Sequence, residues 1–93
     1  MRISAQKGHP FHNDILHLYL RVFLNGRECD NCIFADEEAG TVKRLRIGSD
    51  GLLLTQNGHF VSETVSGSVK LVLKDGAPSA AWRELGRLRS LGI

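Results

Sequence analysis

The chain has 93 residues, of which 42% are hydrophobic and 24% charged, and carries a net charge of +2. That length makes one domain with a modest core, and that hydrophobic share excludes a disordered chain. So small a charge lacks the dense basic stripe of a dedicated nucleic-acid binder. No apolar run reaches the roughly 18–20 residues of a membrane span.

In chain order, Met1–Asp14 shows no period and is punctuated by Gly8, Pro10 and Asn13. It reads as a flexible arm with a short strand at Arg2–Ala5. Residues 15–76 read as a β core. In Ile15–Leu24, Leu16, Leu18, Leu20, Val22 and Leu24 share one parity, opposite His17, Tyr19, Arg21 and Phe23. Alternate strand side chains face opposite ways, so one long strand with an aliphatic inner face is expected. Asn25-Gly26 suits a type I′ hairpin turn, because both residues accept positive φ. The return strand covers Arg27–Cys29, with a possible continuation through Cys32–Phe34. Asp36 can cap a single helical turn, Glu37 and Glu38 suit its positive end, and Gly40 can close it.

Thr41–Ile47 resumes strand character. Ser49-Asp50-Gly51 and Gln56-Asn57-Gly58 are turn signals around a short apolar strand, Leu52–Leu54. Phe60–Val65 reads as a further strand. In Gly67–Lys74, Val69, Leu71 and Leu73 share one face, with Ser68, Lys70 and Lys74 opposite. Short strands between turns predict an antiparallel sheet, twisted or curled into a partly open barrel. The period then changes: Ser79–Leu91 predicts an amphipathic helix, with Ala81, Trp82, Leu85, Leu88 and Leu91 on one half of the wheel. The whole chain, 1–93, is expected to be a single mainly β domain ending in that helix.

Few residues point to chemistry. Cys29-Asp30-Asn31-Cys32 has the spacing of a zinc knuckle or a redox pair. A structural zinc needs four ligands, and a thioredoxin-like motif needs a βαβ setting. Asp30-Asn31 are good turn formers. A turn with two thiols is therefore the main reading, with a metal or redox site on Cys29 and Cys32 as the minority one. Asp36, Glu37 and Glu38 are adjacent on a helical turn and do not face one another, so capping outweighs acid–base or cation chemistry. His9, His12, His17 and His59 have no nucleophile at a recognised spacing. No catalytic residue, no cofactor and no small-molecule substrate is expected. Lys43, Arg44 and Arg46 on one strand, with Arg83 and Arg87 on the helix, could meet phosphates or an acidic partner. The bland alternative is a solvated surface balanced by Asp36, Glu37 and Glu38. Trp82, on the apolar half of the helix, completes the candidate binding residues.

Gly26 and Glu28, then Cys32, Ala35 and Asp36, then Gly40 and Val42, a basic strand, Asn57-Gly58, Glu63, Gly67 and Val69 form a diffuse pattern. Over this stretch the chain resembles small uncharacterised proteins of tailed phages and prophages. The resemblance implies a phage or prophage origin and no defined activity. Its pattern has one cysteine, matching Cys32; Cys29 departs from it. The expected function is non-catalytic: protein–protein contacts or self-association, in assembly or regulation. The alternative is a nucleic-acid-binding barrel using the basic residues. The first residues lack a basic region followed by an apolar segment, so no secretory leader is expected. Two cysteines are too few for a disulfide scaffold. The expected location is the host cytoplasm or a virion.

Overall fold

A computed structural model of the chain describes residues 1–92. It is mainly β. Its strands are β1 (Arg2–Ser4), β2 (Leu20–Leu24), β3 (Arg27–Glu28), β4 (Cys32–Asp36), β5 (Thr41–Leu45), β6 (Thr55–Gln56), β7 (His59–Phe60), β8 (Ser62–Ser66) and β9 (Val69–Leu73). One helix, α1 (Ser79–Ser90), follows. The strands form three antiparallel sheets, ordered β1-β4-β5-β8, β3-β2-β9 and β6-β7. The sheets do not close into a barrel.

The core follows from the inward parity of the two larger sheets. Ile3 pairs with Ala35, Ala35 with Val42 and Val42 with Val65, giving one apolar row across four strands. In the three-stranded sheet Leu20, Val22 and Leu24 stand opposite Leu73, Leu71 and Val69. Ala81 and Leu85 of α1 join the same buried cluster, with Leu88 packed against it. The helix therefore docks on its own chain. Trp82 and Leu91, expected on its apolar half, are exposed. Pro78 precedes the helix in extended conformation, and Ser79 makes no capping bond.

Three expectations are corrected. The strand expected from Ile15 begins at Leu20; Leu16–Leu18 is a 3-10 turn. Asn13 drives it, its Oδ1 accepting the backbone N–H groups of Ile15 and Leu16 at 3.0 and 2.9 Å. The second correction concerns residues 1–14, expected as an arm. They carry β1 and fold back on the sheet. Ser4 N–H donates to Phe11 O and Ala5 N–H to Ile33 O, while His9 and Phe11 pack against Phe34. The Arg2 guanidinium stacks 4.1 Å over the Phe11 ring. Finally, Leu52–Leu54 forms no strand. Leu53 makes a single bridge to Ile47, and the stretch from Arg46 to Val61 contributes no buried residue.

The Asn-Gly turns form as expected, with φ of 52° and 83° at Asn25-Gly26 and 51° and 77° at Asn57-Gly58. Asn25 also ties the first hairpin to the residue before β9. Its N–H donates to Ser68 O at 2.8 Å, and its Oδ1 accepts Ser68 N–H at 2.9 Å. Asn25→Ala should cost about 1–2 kcal/mol, from the left-handed backbone and the lost bond. Asn25→Gly, which keeps the backbone freedom, should cost less. Urea midpoints of the two variants check the order.

Candidate functional site

The chain crosses from one sheet to the other at Cys29–Cys32. Cys29 N–H donates to Val22 O at 2.8 Å, extending the β2–β3 hairpin by one residue. Asp30 and Asn31 then turn the backbone. Asn31 pins that turn to the end of β5: its carbonyl accepts Leu45 N–H at 2.9 Å, and its side-chain amide donates to Leu45 O. Cys32 opens β4 directly opposite Arg44 on β5, and a bulge follows before Phe34. Paired residues share a sheet face, so this register sets Cys32 beside the Arg44 side chain.

Both cysteines are free thiols and half-buried. The Cys29 thiol donates weakly to Asn31 Oδ1 at 3.7 Å, and the Cys32 thiol to Phe34 O at 3.0 Å. Burial pushes the Cys32 thiol up to about 11, and the neighbouring Cys29 adds to the shift. Arg44 donates from Nε to Glu63 Oε1 at 2.9 Å. That bond, above all, holds its guanidinium charged, and the nearby Cys29 adds to the shift. Two open clefts flank the turn. One, of about 590 Å³, is lined by Cys29, Asn31, Arg44 and Ile47. The other, of about 250 Å³, is lined by both thiols with His17, Arg21 and Lys74. Among the described residues, no group of three or more His, Cys, Asp or Glu side chains converges.

The remaining candidate residues separate. Lys43 is exposed on the opposite parity from Arg44, while Arg44 and Arg46 share Glu63, at 2.9 and 3.9 Å. On α1, Arg83 is exposed, and Arg87 pairs with Glu84. The balancing carboxylates are thus Glu63 and Glu84, not Asp36–Glu38. Arg87, and then Asn13, hold the Glu84 carboxyl below its usual range.

Asp36 caps its turn as expected, Oδ1 accepting Glu38 and Ala39 N–H at 3.0 Å each. Glu37 instead reaches β9, accepting Leu71 N–H at 3.0 Å and Arg89 at 3.2 Å. His12 and His17 stack with ring centroids 4.9 Å apart. His12 donates from Nδ1 to Ser4 O, and His17 from Nδ1 to Asn13 O, each at 3.1 Å. His59 sits on β7, on a different element. Sequence reasoning missed Glu63 as the partner of Arg44 and Arg46, and it missed the β8 edge; the Ser62-Thr64-Ser66 alternation was the signal available for the latter.

Comparison with protein-family models, curated proteins and solved structures finds no match.

Proposed function

We propose that the protein is a non-catalytic interaction module that self-associates by pairing β8 with the β8 of a second copy. The open edge of β8 carries this reading. Sheet edges carry unpaired backbone groups and are the natural template for strand addition. The other edges of the two larger sheets are blunted. β1 is covered by Phe11 and His12, which take a bond and a bridge from Ser4. On β9, Leu71 N–H goes to Glu37 and Leu71 O to Arg89. β3 is two residues long, with Glu28 paired to Arg21.

On β8, the bonds Arg46 N–H to Val61 O and Gly67 N–H to Gly40 O frame the ladder at 2.8 Å each. Antiparallel pairs alternate, so Val61, Glu63, Val65 and Gly67 face β5. The backbone groups of Ser62, Thr64 and Ser66 face outward, and all three side chains are exposed.

An antiparallel self-pair centred on Thr64 puts Thr64 opposite Thr64, Ser62 opposite Ser66 and Glu63 opposite Val65. No like charges meet, and Thr–Thr pairs are favourable. Such an isologous contact closes as a dimer. Ile47, two residues past β5, and Phe60, two before β8, are 55% and 60% exposed and add apolar surface to it. The resemblance to small phage and prophage proteins supplies the setting: a phage-encoded assembly or regulatory protein in the host cytoplasm or on the particle.

Sedimentation should give the mass of two chains. Thr64→Pro should give one chain with an unchanged circular dichroism spectrum, since a proline whose missing N–H faces the open edge is tolerated. Val65→Pro, which removes a ladder bond, should unfold the sheet instead. A wild-type mass that stays at one chain across the accessible concentration range removes the reading.

A further inference from the structure

We propose that Cys29 and Cys32 form a peroxide-responsive dithiol, with Cys29 as the attacking sulfur and Cys32 as the resolving one. Four features support the proposal. The turn through Asp30 and Asn31 holds its end Cα atoms within about 7 Å. A disulfide spans about 4.4–6.8 Å between Cα atoms, a range that the turn overlaps, and both thiols line one cleft. Cys29 lines both open clefts, where a molecule as small as hydrogen peroxide can reach it. Arg44 lines the larger cleft together with Cys29 while its Nε is anchored on Glu63, setting a cation on the side of the sulfur that attacks. Cys32 is pushed up to about 11, so it stays a thiol until its partner is oxidised.

The Cys29 thiolate attacks one peroxide oxygen. The S–O bond forms, the O–O bond breaks and hydroxide leaves, giving a sulfenic acid on Cys29. Cys32 sulfur then attacks Cys29 sulfur. The S–S bond forms, the S–O bond breaks, and the departing hydroxide takes the Cys32 proton as water. Two electrons have passed to the peroxide, and an external dithiol returns them.

The test treats the reduced full chain with hydrogen peroxide and counts thiols after denaturation. The wild type should lose both thiols and two hydrogens of mass, with the Cys29–Cys32 bond recovered in one peptide. Cys32→Ser should accumulate a dimedone-trapped sulfenic acid on Cys29, and Cys29→Ser should trap none. Arg44→Gln should slow the loss several-fold, and so should unfolding the wild type in urea. Thiols that persist while free cysteine in the same tube is oxidised would overturn the proposal. So would dimedone labelling at Cys32, bonds formed only between chains, or equal rates in folded and unfolded protein.

Discussion

Leu16→Ala is expected to be among the most destabilising single truncations in the chain, costing about 2–5 kcal/mol. Leu16 has no solvent exposure and belongs to the cluster that joins Ile3, Leu24, Leu71 and Leu85. Its backbone cannot follow the missing atoms inward. Asn13 Oδ1 holds its N–H at 2.9 Å, and its carbonyl accepts Tyr19 N–H at 2.9 Å. Asn13 is itself held to α1 through Glu84 Oε1 at 3.0 Å. The vacated volume therefore persists as a cavity, the condition under which truncation costs most. For a domain of this size that loss, a large share of a total of about 5–15 kcal/mol, should lower the melting point by about 8–40 °C.

Leu18→Ala is the control. Leu18 shares the parity of Leu16 but is 57% exposed, and its truncation should stay within about 0.5 kcal/mol. Equal costs at the two positions would restore the long strand that parity alone predicts. Urea midpoints at constant m decide between them.

That pair also marks where the sequence stops being legible. Residues 69–73 could be read correctly because β9 buries every second residue against neighbours on one side. Parity there reports the fold directly. In residues 15–18 the same spacing arose inside a 3-10 turn, and the deciding feature was an Asn13 side chain, which alternation does not register. The Asn-Gly hairpins and the Asp36–Gly40 turn were legible because their chemistry is local. Glu37 was not, because its ligand, Leu71 N–H, lies 34 residues away.

The thiol pair was half legible. Its turn could be read from Asp30-Asn31. The meeting with Arg44 depends on the β4–β5 register, including the bulge after Cys32. The basic residues show the opposite failure. Their charges were visible in sequence, but the Glu63 and Glu84 partners come from strand register and from helix contacts.

Gly40→Ala should be the second large loss, about 2–5 kcal/mol, and for two separable reasons. Gly40 has φ of 66°, a conformation that costs an L-residue about 1–2 kcal/mol. A Cβ there would also stand 2.7 Å from the carbonyl oxygen of Gly67. That carbonyl is backbone and has little room to yield. It belongs to the two-residue link that carries the chain from β8 to β9, and Gly67 N–H donates back to Gly40 O at 2.8 Å. Forcing atoms into such a contact adds about 1–3 kcal/mol.

Gly26→Ala separates the two causes. Gly26 has φ of 83°, but a Cβ there meets nothing within 4 Å. It should show the conformational cost alone, so the difference between the variants measures the close approach of the β4–β5 turn to the β8–β9 link. The two variants should also differ in kind. Gly40→Ala pushes on Gly67, the residue that follows β8, and should weaken self-association as well as stability. Gly26→Ala should lower the melting point and leave the sedimentation mass unchanged. Equal losses of stability in the two variants would mean that the turn and the link are not held against each other.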